Sequence, residues 1–104
     1  MAVWRGWRNE VVEAAVIARA TGLASYSGDT ETANRYIDKI FDIVELLQRN
    51  PRMGHACAKA PGFRSFVIGS PAAGSPDSLV YFYDEKRDEI IGEGVFTALP
   101  AKYR

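Results

Sequence analysis

The sequence has one cysteine and one histidine. A single cysteine closes no internal disulfide, so nothing in the chain asks for an oxidising compartment. Zinc sites take four Cys or His ligands, or three and a water. His55 and Cys57 supply two, on one loop, and no metal site is expected. No cofactor is expected either: there is no Gly-rich phosphate loop after a strand, no Ser-His-Asp cue and no Cys-x-x-Cys. No apolar run approaches the roughly 20 residues that cross a bilayer. The opening Met-Ala-Val-Trp-Arg-Gly-Trp-Arg lacks the apolar core of a secretory signal. The expected location is the cytoplasm, with no membrane partner. Net charge is also absent, with 13 basic and 13 acidic residues. That argues against a nucleic-acid binder held by whole-molecule charge. What remains is an ordinary composition, 47% hydrophobic and 25% charged, in 104 residues, which is the size of one domain.

The neutral total hides an asymmetry. From Leu46 to Pro76 there is no Asp or Glu, while Arg49, Arg52, Lys59 and Arg64 all fall there. The window is either a solvated loop or a local positive field on a neutral molecule.

Two helices and a set of strands are expected. Asn9 caps the first helix, with Glu10 in its first turn. Val12, Val16, Ala20 and Leu23 mark its apolar face, and it should stop before Tyr26-Ser27-Gly28-Asp29. Asp29 or Thr30 caps the second helix, whose stripe is Ala33, Tyr36, Ile37, Ile40, Phe41, Val44 and Leu47. Asn50-Pro51 ends it. The short connection makes the pair an antiparallel hairpin.

The period then changes to two. Residues 51–62 read as a loop. Phe63 to Gly69 is a strand with Arg64, Phe66 and Ile68 on one face. Ser70 to Ser78 is a long connection, Leu79 to Tyr83 a second strand, and Glu89 to Thr97 a third. Gly92 and Gly94 mark a bulge or a close backbone approach in that strand. Val80 and Phe82 suit the core face, which leaves Tyr81 and Tyr83 on the other. Residues 2–8 are a fourth strand or an arm, and Trp4 and Trp7 are either interface anchors or caps of a small core. The fold class is α+β: a helical hairpin on one face of a three- to four-stranded antiparallel sheet, in the order (β)ααβββ.

Arg64, fixed on a strand after the rigid Pro61-Gly62 turn, offers a forked donor for a phosphate or a carboxylate. Its alternative is an ion pair with Glu89 or Glu93 across the sheet. Arg49, Arg52, Lys59 and Arg64 are the candidate binding residues. Tyrosines beside basic groups stack on bases, donate protons, or simply pack across strands.

The ordered segments resemble a known family. They are Ser27-Gly28-Asp29, Ala33 to Ile40, Asn50-Pro51-Arg52-Met53-Gly54, Pro61 to Gly69 and Leu79 to Tyr83. Together they resemble the ParE/RelE superfamily, the toxins of bacterial type II toxin–antitoxin (plasmid stabilisation) systems, over about residues 10 to 91. Ala15-Val16 departs from the family's Asp-Leu pair, and Val95 to Pro100 lacks its terminal His or Arg. Arg64, in the Pro-Gly-x-Arg position, is the residue that transfers.

Within that family the Asn-Pro-Arg-Met-Gly and Pro-Gly-Phe-Arg segments suit the ParE-like branch. The resemblance then implies a non-enzymatic toxin that inhibits DNA gyrase by binding. It also implies neutralisation by a cognate antitoxin in a hetero-oligomer. The RelE-like alternative is a ribosome-dependent endoribonuclease of mRNA, which would draw on Arg64, Lys59, Tyr81 and Tyr103. A third reading keeps the fold as a scaffold without toxicity.

Overall fold

The structure, a computed structural model, describes residues 1–27, 30–69 and 76–104, with the side chains of all but 23–27 and 30. The expected Gly28-Asp29 turn, the Leu23 stripe position and residues 70–75 of the long connection lie outside the described residues.

The chain runs β1 (Val3–Trp7), α1 (Glu10–Ser27), α2 (Thr30–Arg49), β2 (His55–Ala56), β3 (Phe63–Gly69), β4 (Asp77–Asp84) and β5 (Glu89–Phe96), then a 3₁₀ turn at Ala101–Tyr103. Asn9 caps α1 as its position implies, its Oδ1 accepting the amide of Val12 at 2.9 Å. The helix runs on through Tyr26 and Ser27, beyond the expected stop. In α2 the stripe is Tyr36, Ile40, Ile43, Val44 and Leu47, all buried. Ile43 was not in the expected stripe. Phe41 was, and it is 54% exposed.

The sheet has five strands in the order β1-β5-β4-β3-β2. The meander β3-β4-β5 is antiparallel, as expected. The sheet as a whole is mixed, because β1 pairs parallel with β5, Val3 opposite Glu89 and Trp7 opposite Gly92. This corrects the purely antiparallel expectation. The reason is connectivity: the hairpin carries the chain across the sheet face, and β1 fills the edge left beside the last strand. A fifth strand, β2, lies within the segment read as a loop, and pairs His55 with Ser65 and Ala56 with Arg64.

Both glycines flagged in β5 have a role. A bulge inserts Glu93 between Gly92 and Gly94, which pair with Tyr81 and Val80. At Gly92 a side chain would overlap the rings of Trp4 and Trp7.

The helical hairpin covers one face of the sheet. Val16, Ala20, Tyr36, Ile40 and Leu47 pack there on Ile68, Leu79, Tyr81 and Ile90. The opposite face is covered as well. Cys57, Val80 and Tyr103 are buried there, with Phe63, Phe96 and Leu99 around them. The face assignment for β4 is therefore reversed: Tyr81 points into the helical core and Val80 into the second cluster. A central strand buried on both sides carries no in-out signal for a period-two reading to use.

One polar cluster fastens the layers. Asp77, fully buried at the start of β4, accepts Arg19 Nε at 2.9 Å and Nη2 at 3.0 Å, and the Tyr36 hydroxyl at 2.5 Å. It joins α1, α2 and β4 through a forked, charge-assisted contact. Burial alone would raise the carboxyl; the Arg19 fork and the Tyr36 hydroxyl outweigh it and hold the group below the usual carboxylate range. Burial and the same carboxylate push the Tyr36 phenol well above its ordinary value.

Candidate functional site

Three of the five segments that carry the family resemblance meet in space: residues 50–54, 61–69 and 79–83. Asn50-Pro51 ends α2, and the chain turns at once, the amide of Met53 bonding to the carbonyl of Asn50 at 3.0 Å. The turn is held from beneath by two side chains from the sheet. Tyr81 donates its hydroxyl to the carbonyl of Pro51 at 2.7 Å and accepts the amide of Gly54 at 2.9 Å. Arg64 donates from Nη1 to the carbonyls of Arg52 at 3.1 Å and Gly54 at 2.8 Å. Tyr81 and Arg64 are register partners on neighbouring strands. The Asn-Pro-Arg-Met-Gly, Pro-Gly-Phe-Arg and Leu-Val-Tyr-Phe-Tyr segments are thus one hydrogen-bonded unit.

Arg64 makes no ion pair with Glu89 or Glu93. Those carboxylates bind Arg5 at 2.7 Å and Arg8 at 3.1 Å instead. Arg52 stands at the outer corner of the unit. It pairs with Glu85 through Nη2 at 2.6 Å and Nε at 3.2 Å, and its guanidinium lies 5.7 Å from the centre of the Tyr83 ring. Its hydrogen bonds to Glu85 strengthen its hold on its proton. Tyr83, half-buried, donates to Asp88 at 2.6 Å. Arg49 sits one turn from Glu45 on α2, 3.4 Å away, with both side chains exposed.

Lys59 is exposed at the tip of the tight 57–63 turn, where the amides of Ala60 and Phe63 bond back to Cys57 and Ala60. The acid-free window is accordingly less positive than its composition suggests, because Glu45 and Glu85 reach in from outside it. Lys59 and Arg64 are left as its uncompensated charges, and neither forms an ion pair among the described residues.

Of the residues named for the ribonuclease alternative, Arg64 and Tyr81 are neighbours, but both are spent on the backbone of the Pro51–Gly54 turn, and Tyr103 does not join them. Tyr81 is wholly buried, with its hydroxyl bonded to backbone, and burial pushes its phenol up. Tyr103 lies on the other face of the sheet. It donates to the buried Glu93 at 3.1 Å and packs on Phe63 and Phe96. His55 is exposed while Cys57 is buried, and burial raises the thiol. Among the described residues no three His, Cys, Asp or Glu side chains are grouped to hold a metal.

Sequence reasoning missed two buried carboxylates, Asp77 and Glu93. The available signals were an arginine, Arg19, beside the stripe residue Ala20, and an acid flanked by two glycines. No helix among the described residues is long and apolar enough to cross a membrane. In comparisons with known proteins, no family model matches the chain and no curated protein matches it.

Proposed function

We propose that the protein is the toxin of a type II toxin–antitoxin pair, of the ParE-like kind. It acts in the cytoplasm by binding DNA gyrase and is neutralised by a cognate antitoxin in a hetero-oligomer. The reading rests on one observation: three of the five segments that resemble the family form a single hydrogen-bonded corner, with Arg64 and Tyr81 gripping the Pro51–Gly54 turn. A rigid corner suits recognition, because a loop ordered beforehand loses little freedom on binding. Arg52 at its outer side and the exposed Lys59 on the following 57–63 turn are the groups available to a macromolecular partner.

Binding is favoured over RNA cleavage on geometry. General acid–base work needs groups within hydrogen-bond reach of one reacting site, and Tyr81 and Tyr103 are separated by the thickness of the sheet.

Induction in a bacterial host without the neighbouring reading frame tests the proposal. Filamentation and DNA damage are expected, with loss of supercoiling by purified gyrase when the protein is added. Co-expression of the neighbouring product should reverse all three. Arrested translation with intact replication would replace this reading with the RelE-like one. Harmless overexpression would leave the scaffold reading.

A further inference from the structure

A cavity lies away from that corner, between α1, α2 and β1. It measures about 540 Å³, within the range of small-molecule sites. Its walls include Trp4 and Trp7 from the sheet edge and Ile17, Ile37 and Phe41 from the helices. The two indoles are the only tryptophans in the chain.

Their joint presence is a built feature. In a regular strand, residues three apart point to opposite faces. Here β1 carries an extra residue against β5 between Trp4 and Trp7. Gly6, at φ 94°, takes a backbone conformation that other residues adopt only with strain. The bulge turns both rings to the helix side, where they meet edge to face, 5.3 Å between centroids and 89° between planes. Gly92 provides the bare backbone on which both rings rest.

The charge of the cavity has one sign. Among the described residues that line it, Glu13 is the single ionisable side chain. It sits one turn before Ile17 on the same helix face, at the end of the apolar wall. The arginines in and between β1 and α1 are engaged elsewhere: Arg5 with Glu89, Arg8 with Glu93 and Arg19 with Asp77. Two perpendicular indoles, a third aromatic ring and an unpaired carboxylate form the environment that attracts an organic cation. The negative ring faces and the carboxylate favour positive charge, and the apolar walls favour its alkyl or aryl body.

We infer that this cavity is a binding site for a small amphiphilic monocation, an amine or quaternary ammonium with an apolar body. The inference is independent of the gyrase reading, because the cavity shares no residue with the Pro51–Gly54 corner.

Benzyltrimethylammonium titrated at constant ionic strength, followed by the fluorescence of the two indoles, tests it. Saturable quenching is expected. Neopentylbenzene, the neutral carbon isostere, should bind more weakly, and phenylacetate should not bind. Glu13→Gln, an exposed position on α1, should weaken the cation about fivefold and leave the neutral isostere unchanged. Ile17→Lys, exposed at the cavity mouth, should weaken the cation at least as much by like-charge repulsion. Circular dichroism of both variants confirms that they are folded. Equal or tighter binding of the isostere, an unchanged cation affinity in Glu13→Gln, or no saturation with the cation would each overturn the inference.

Discussion

The amide of Gly54 lies 2.9 Å from the hydroxyl of Tyr81, and the space between strand and turn admits only a glycine. A Cβ at position 54 would stand 2.5 Å from the Tyr81 hydroxyl oxygen and 2.8 Å from its ring atom Cε1, closer than real contacts allow, and a tight 3.0 Å from the Ser65 carbonyl. This pair explains why a glycine follows Asn-Pro-Arg-Met: the turn is pressed onto a buried phenol.

Tyr81→Phe removes the partner of one amide and one carbonyl. We expect a loss of about 1–3 kcal/mol, read as a lower urea midpoint. Gly54→Ala should cost a similar amount through crowding. The double variant should lose less than the sum, because removing the hydroxyl relieves part of the crowding.

Asp77→Asn leaves the Arg19 guanidinium without its counter-charge beside a buried amide. A loss of about 3 kcal/mol or more is expected. The carboxyl is held below its unfolded value. Its contribution is therefore fully present above the unfolded pKa of about 3.9 and is lost as pH falls through the lower folded value. Urea midpoints compared at pH 7 and pH 3 should fall more steeply for the parent than for Asp77→Asn.

Gly92→Ala pushes a methyl group into both indoles and should cost about 1–3 kcal/mol. The fluorescence maximum of the folded variant should move to longer wavelength as the rings are displaced toward water. An unshifted spectrum would show that they are not seated on this glycine.

Arg52→Glu and Lys59→Glu reverse charge at the outer side of the corner. On the proposed reading, gyrase association should slow about tenfold and lose part of its salt dependence, with at most a small loss of thermal stability from the exposed Arg52–Glu85 pair. Binding that survives both substitutions would place the gyrase contact elsewhere.

Cys57 is buried and its thiol is raised by that burial. A disulfide reagent should modify it slowly in the native protein and rapidly in urea.

α2 is legible in the sequence from its long apolar stripe, α1 from its cap and alanines, and the meander from apolar and β-branched runs bounded by turn formers. The misassigned positions each have a physical cause. Alternation along β4 implies one wet face and one dry face and puts Tyr81 outside, whereas the segment from Leu99 to Tyr103 dries the second face of β4. The parallel register of β1 was hidden by the bulge at Gly6, which cancels the alternation that would have revealed a strand. β2 has two residues, too few to show any period. Asp77 follows a proline in a run of turn formers, so local composition pointed to a connection. What holds it in a strand is Arg19, 58 positions earlier. Of the site, Arg64 was legible as a fixed fork on β3, but its engagement with the carbonyls of residues 52 and 54 depends on a turn that only the folded chain brings beneath it.

The parallel pairing of β1 with β5 has a consequence for biosynthesis. Residues 3–7 are synthesised well before their hydrogen-bonding partner, residues 89–96. Until then two large aromatic rings have no backbone to rest on. A nascent chain halted before residue 89 therefore carries an oily, unpaired leading segment. That makes interrupted synthesis, rather than the finished protein, the stage at which chaperones and proteases find the most to recognise.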